Sequence, residues 1–344
     1  MKKRGLLTLI GIIGLVFVLA GPSLAQVIKL KLADQNPEMG WGPVHALQPW
    51  VKKVEEACKG IVKIDVFPAQ TLAKGPDIWN AVKTGVADMG WCFHGYWPDM
   101  TPLSDVITLP GLPFRAAEKA SEVLWNLYAK FSAIQQEYRD VHVFQLWTTD
   151  PYTLITTKKQ VKTMEDIKGL KIRVVGGPPT DQMKALGAVP TLIPMPDTYL
   201  SLDKGVIDGM GSPWEAMLAF RLYEIVKYYT IVPICVGYFS MSMNKQKWES
   251  LPKDVQQAMT SVGGLEAAKF WGRNFFDMAE EEVVDRVKKG NYQMVKYVMP
   301  QEEADRWKRV AGEPLWKEWV KKMESRGRPE AQQVLNTTLE LLKK

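Results

Sequence analysis

The stretch GLKIRVVGGPP, residues 169–179, sets an arginine in the middle of a β-strand pattern. Gly169 opens it, Gly176, Gly177 and two prolines close it, and Lys-Ile-Arg-Val alternates between them. Strand side chains point to opposite faces at period two. Leu170, Ile172 and Val174 therefore share one face, and Lys171 and Arg173 the other. Two readings of Arg173 follow. Either the strand is an edge with a solvated charged face, or its carboxyl end presents a guanidinium that holds an anion.

Outward from this strand, PPTDQMKALG reads as a helix, AVPTLIPM as a short strand, PDTYLSLDKG as a helix and VIDGMG as a strand. The N-terminal half has the same grammar. VIKLKLAD (27–34) alternates as a strand, PVHALQPWVKKVEEACKG is an amphipathic helix, and IVKIDVFP is a second strand. GPDIWNAVKTG and VADMGWC then supply a helix and a third strand. AVKTGVADMG (81–90) and SLDKGVIDGM (201–210) correspond closely, with Gly85 and Gly205 as left-handed helix stops. Asp88 and Asp208 are expected where each strand ends and its loop opens. The pattern predicts two related α/β units, in which ligands collect outside the carboxyl ends of the strands. The last hundred residues read as helical, broken by the strand VKYVMP and closed by two helices.

The first residues read as an export leader. Lys2, Lys3 and Arg4 precede the apolar run LLTLIGIIGLVFVLA, and Ser23-Leu24-Ala25 offers small residues for cleavage after Ala25. The run falls short of the roughly 20 apolar residues of a comfortable membrane span. No cysteine follows the cut, which argues against a lipid anchor, and a secreted, periplasmic protein is expected. Losing three positive charges takes 44 basic residues to 41 against 38 acidic ones, without the basic tract that nucleic-acid binding needs. Cys58, Cys92 and Cys235 are an odd set for an oxidising compartment. A Cys58–Cys92 bridge and three small buried thiols both remain open. His45, His94 and His142 lack the spacing of a metal site, and no metal or cofactor is expected.

Several of the 13 tryptophans fall in loops at strand ends: Trp41, Trp91, Trp97, Trp147 and Trp214, with Tyr152 and His94 nearby. Each alone could be core. Together with one arginine they describe a cleft for a carboxylate on an apolar or ring-bearing body. Ser-x-x-Lys occurs at Ser201–Lys204, Ser242–Lys245 and Ser250–Lys253, and Lys-Thr-Gly at 83–85. The Lys-Thr-Gly precedes the serines and ends a helix, so a serine hydrolase is the weaker alternative and the protein is not expected to be an enzyme.

From about residue 27 to the C-terminal helices, the chain resembles the DctP-like solute-binding proteins of tripartite ATP-independent periplasmic (TRAP) transporters. IDVFPAQTLAKGPDIWNAVKTGVADMG, LPGLPFRAAEKASEVLWNLY, LITTKKQVKTMEDIKGLKIRV and DTYLSLDKGVIDGM carry the resemblance. It implies that Arg173 pairs with a ligand carboxylate. It also implies a two-lobed α/β fold with crossing strands, a long helix over about 264–289 spanning both lobes, and a ligand cleft between them. After a leader at 1–25, lobe I would hold 27–150 with 239–280, and lobe II 151–238 with 281–344. Delivery to a TRAP membrane permease follows from the resemblance. A monomer is expected, with a dimer left open, and the same pocket would serve a partner of a membrane sensor.

Departures from the family pattern narrow the ligand. The segment after the second Asp-Gly is GMGSPWEAM, which sets Ser212, Pro213 and Trp214 at the wall. The neighbourhood TTDPYTLITT offers Tyr152 where sialic-acid-type members carry a second arginine. One cation favours a monocarboxylate with an apolar, keto or aromatic body. Trp91, Trp97, Trp214, Trp41 and Trp147 are expected to wall it, with Tyr152, Ser212, Asn36 and His94 as polar contacts. Trp214 is similar to keto-acid-binding members, some of which hold a metal ion. The acidic ligand for that ion reads Tyr238 here, so none is assigned.

Overall fold

The computed structural model describes residues 27–343, and the leader at 1–25 lies outside them. In chain order its strands are β1 (Ile28–Ala33), β2 (Val62–Phe67), β3 (Met89–Phe93), β4 (Val141–Thr148), β5 (Thr153–Thr156) and β6 (Lys171–Val174). β7 (Val189–Leu192), β8 (Gly209–Ser212), β9 (Tyr228–Ile231), β10 (Tyr238–Asn244) and β11 (Val295–Val298) follow. They form two sheets, ordered β2-β1-β3-β10-β4 and β7-β6-β8-β5-β9-β11, each the centre of one lobe.

The two sheets are built alike. In each, the first two strands and the third run parallel (β2-β1-β3 and β7-β6-β8), and an antiparallel strand from elsewhere in the chain lies beside the third. Gly85 (φ +78°) and Gly205 (φ +67°) both end helices in the left-handed region, which a side chain would strain. The aspartates do a different job from the one their position suggests. Asp88 and Asp208 sit just before β3 and β8, at the amino ends of those strands, and not at the loops leaving them. The Asp88 carboxylate accepts from Lys31 N at 2.7 Å, and Asp208 from Lys171 N at 2.9 Å. Their own amides donate to the carbonyls of Lys31 (3.0 Å) and Lys171 (2.8 Å). Each aspartate thus starts a parallel pairing by accepting from a backbone amide of the neighbouring strand.

Two crossing segments join the lobes. Thr149 N donates to Gly237 O at 2.9 Å, Gly237 N to Thr149 Oγ1 at 2.9 Å, and Tyr152 N to Cys235 O at 2.9 Å. A side chain at Gly237 would run into the Tyr152 hydroxyl. The run 264–289 also spans both lobes, as helix Gly264–Trp271, a π-helical turn Gly272–Asp277 and helix Ala279–Lys289. Ala267, Trp271, Phe275 and Phe276 pack in the first lobe, and Ala279 and Val283 in the second. Three helices close the chain, not two: Gln301–Ala311, Glu313–Ser325 and Ala331–Leu341. Trp307 and Ala311 pack with the second lobe. Trp319, Val320, Met323, Val334 and Leu335 return to the first-lobe core, so the segment after about 312 departs from the division that gave 281–344 to lobe II. Apolar side chains on one face of each helix dictate that return, and sequence periodicity does not say which core they meet. Cys58, Cys92 and Cys235 are free and buried.

Asp88→Ala and Asp208→Ala should each lower unfolding stability by about 1–2 kcal/mol without altering ligand binding, because each removes a charged acceptor from a strand amide. Denaturant unfolding of the single variants checks this. A loss confined to one site would contradict the equivalence of the two units.

Candidate ligand-binding site

β6 is not an edge strand. It lies between β7 and β8, so the side chain of Arg173 is enclosed from both sides. The residue is 2% exposed. Its Nε donates to Ile193 O at 3.0 Å, and no other hydrogen bond to it exists among the described residues. No carboxylate among them comes within 4.0 Å of its nitrogens. Taking an ion out of water without a partner costs several kcal/mol, so buried charges are normally paired. Here the two terminal nitrogens face a cavity between the lobes.

The cavity is narrow and is lined by side chains of both lobes. Its first-lobe wall is aromatic. Trp91 and Phe93 project from the same face of β3, and Phe239 from the facing residue of β10, where Phe239 pairs with Phe93. The rings overlap, with Phe93–Phe239 centroids 4.8 Å apart, Trp91–Phe239 4.4 Å and Phe239–Phe276 5.4 Å. Phe276 reaches this wall from the π-helical turn of the spanning run. The second lobe contributes Met195, Pro213, Ala216 and Phe220, and the crossing segments Tyr152 and Thr149. Gln35, Asn36 and Glu215 complete the lining. Burial raises the titration of the Tyr96 and Tyr152 hydroxyls and the nearby Arg173 charge opposes it, so both stay neutral.

Hydrogen bonds across the cleft hold the lobes together. The Tyr96 hydroxyl accepts from Met195 N at 2.9 Å while donating to Gln35 Oε1 at 2.8 Å. Gly176 N donates to Gly95 O at 2.9 Å, and Gly42 N to Glu215 Oε1 at 3.3 Å. The arrangement is that of a closed cleft.

Of the residues expected from sequence, the cavity brings together Arg173, Tyr152, Trp91, Asn36 and Pro213. The others lie elsewhere. Trp214 turns away from the cavity and packs edge-on against Tyr229 at 5.2 Å, because the two residues after it take the cavity-facing positions. Ser212 Oγ donates to Pro213 O at 2.9 Å, closing on its own backbone. Trp97 donates to Pro76 O at 2.7 Å and packs 5.9 Å from Trp79 in the core behind the sheet. His94 is bonded to Ser240 Oγ at 3.0 Å and stacked on Tyr238 at 4.9 Å, and burial pushes its pKa down to about 3. Trp147 is core, 4.4 Å from Trp271. Trp41 stacks on His45 and lines an outer groove. Among the described residues no group of three or more His, Cys, Asp or Glu could hold a metal ion. The Ser-x-x-Lys serines do not line the cavity; Ser201 Oγ donates to Asp197 O at 2.8 Å.

Sequence reasoning missed Gln35, Phe93, Thr149, Met195, Glu215, Ala216, Phe220, Phe239 and Phe276. Period-two spacing from Trp91 signals Phe93. An acid inside the apolar run SPWEAM signals Glu215. Phe239 and Phe276 arrive from distant chain positions and carry no local signal.

Two buried carboxyls stand here. Burial pushes Glu215 up to about 8, with the neighbouring Asp34 adding to the rise and the Gly42 amide opposing it. Burial likewise raises Asp34 to about 7 against its bonds from Asn36. Unfolded carboxyls ionise near pH 4, so between about pH 4 and 8 the folded chain holds more protons and stability falls as pH rises. Buried neutral His94 and His142 act in the opposite sense, but below about pH 6.5. The ligand-free protein should therefore lose stability between pH 6.5 and 8, and Glu215→Gln should flatten that slope. Thermal melts at fixed ionic strength check it; a rise over this window would contradict the assignment.

A family model described as bacterial extracellular solute-binding protein, family 7 (DctP), matches residues 43–323. A TRAP solute-binding protein from Rhodoferax ferrireducens T118, solved with copurified benzoate, shares 26% identity at a TM-score of 0.86, covering 92% of this chain and 98% of its own. One from a marine metagenome, specific for aromatic acid ligands and solved with 3-hydroxybenzoate, shares 29% identity at a TM-score of 0.86, over 92% and 98% of the two chains. A third, from Bordetella bronchiseptica with bound (R)- and (S)-mandelate, shares 25% identity at a TM-score of 0.83, over 92% and 99%. With two α/β lobes closed on a cleft and a family match over most of its length, this chain belongs to the DctP-like periplasmic solute-binding proteins of TRAP transporters.

Proposed function

We infer that the cavity captures a small aromatic monocarboxylate for delivery to the TRAP permease, with Arg173 pairing two-pronged with the carboxylate. The observation that carries this reading is the buried guanidinium with no acid beside it and its terminal nitrogens open to a ring-lined slot. An arriving carboxylate supplies the missing countercharge in the geometry the planar fork favours. Among the described residues Arg173 is the only cation lining the cavity, which suits one carboxylate and disfavours a dicarboxylate. The overlapping rings of Trp91, Phe93 and Phe239 offer stacking and edge contacts to a ring. The benzoate, 3-hydroxybenzoate and mandelate held by the three relatives are all aromatic monocarboxylates, which supports the same class.

Truncating one partner of a buried charge pair costs about 2–5 kcal/mol, and tenfold in affinity is about 1.4 kcal/mol. Arg173→Ala should therefore weaken benzoate binding by about 100-fold or more. Arg173→Lys should also bind poorly, because an ammonium does not reproduce the fork. The ligand-free Arg173→Ala protein should melt no lower than wild type, since it loses an unpaired buried charge. Calorimetric titration with parallel melts tests all three. Benzoate affinity retained in Arg173→Ala would refute the pairing.

A further inference from the structure

The cavity has a second polar feature that carboxylate capture does not use. Glu215 lines it, is 3% exposed, and forms no ion pair with Arg173, all of whose nitrogens lie more than 4.0 Å from its oxygens. One carboxyl oxygen takes a long bond, 3.3 Å, from Gly42 N. The other has no partner among the described residues. A largely buried carboxyl left half-satisfied is costly in a slot lined mainly by rings. The polar side chains of the lining, Gln35, Asn36, Thr149 and Tyr152, make no hydrogen bond to Glu215, and the rest of the lining is mainly apolar. The unfilled bond is therefore left for the ligand.

We propose that Glu215 is the specificity-determining residue for a hydroxyl on the ligand's ring, so that the preferred ligand is a hydroxylated aromatic monocarboxylate. This rests on the Arg173 reading, which fixes the carboxylate end and leaves the ring's substituent to meet Glu215. A hydroxyl suits either protonation state, because it accepts from the neutral acid and donates to the carboxylate. The nearest acid, Asp34, has one oxygen bonded to Asn36 and the other buried without a partner, and its charge disfavours ionisation of Glu215. The neutral acid is thus the form that meets the ligand at neutral pH, and a donor waits for an acceptor. A site built to bond a hydroxyl discriminates strongly against the analogue lacking it, because its own buried group is otherwise left unpaired.

The test is calorimetric titration at pH 7 with benzoate, benzamide and the 2-, 3- and 4-hydroxybenzoates, on wild type, Glu215→Gln and Glu215→Leu. At least one hydroxy isomer should bind wild type about 10- to 100-fold tighter than benzoate. Glu215→Gln, which keeps the shape and can still bond a hydroxyl, should preserve that ratio within a few-fold. Glu215→Leu should reduce it to about one, with thermal melts showing both variants folded. No preference in wild type, or a preference that survives in Glu215→Leu, overturns the assignment. If benzoate outbinds benzamide but no isomer is favoured, Glu215 alone is misassigned and the Arg173 pairing stands. If benzoate and benzamide bind alike, the pairing fails and the Glu215 proposal fails with it.

Discussion

A guanidinium enclosed in the middle of a sheet, with no acid to answer it, is the constraint on which this structure turns. Sealing Arg173 under the first lobe removes its water, and nothing in the described protein replaces that hydration beyond one backbone carbonyl. Closure without an anion therefore carries a desolvation cost of several kcal/mol, set against the modest cross-cleft bonds of Tyr96, Gly95 and Gly42. If a carboxylate pairs with Arg173 as proposed, the same closure would become favourable, because the pair strengthens as water leaves. On that proposal capture and closing would be one equilibrium, which a ligand shifts only by its differential affinity for the closed form.

The frame that holds Arg173 is a repeated one, and the site is made where the repeats diverge. Leu32 and Ala33 of β1 face Met89 and Gly90 of β3, as Ile172 and Arg173 of β6 face Gly209 and Met210 of β8. Arg173 thus corresponds to Ala33, and the aromatic Trp91 to Gly211. Where the first lobe has a small alanine and a ring, the second has a charge and a glycine. Asp88 and Asp208, which match, serve the shared scaffold. Arg173 and Trp91, which have no such counterparts, line the cavity.

That distinction explains what could be read from sequence. Alternation, helix stops and the two Val-x-Asp segments are local signals; they located β1–β3, β6–β8 and β11 and the relation between the halves, but not β4, β5, β9 and β10, whose pairing is with distant segments. Arg173 stood out because a charge within an apolar strand is costly wherever it lands. The tryptophans misled for a physical reason: large rings fill cores as readily as clefts, and Trp147, Trp97 and Trp214 are core-packed a few residues from cavity-facing neighbours. Which side a ring faces depends on partners from distant segments, such as Trp271 and Tyr229. Composition cannot supply that. Glu215 went unnoticed beside a more conspicuous tryptophan, although a lone acid in an apolar run deserves the same question as Arg173. The destination of the last two helices was likewise a matter of which core they met.

The most direct measurement is a crystal structure grown with benzoate, read for the distance between its carboxylate and the Arg173 guanidinium. Both oxygens should lie within about 3 Å of the two terminal nitrogens, with the ring against Trp91, Phe93 and Phe239. A carboxylate held by other groups, with Arg173 still unpaired, would contradict it.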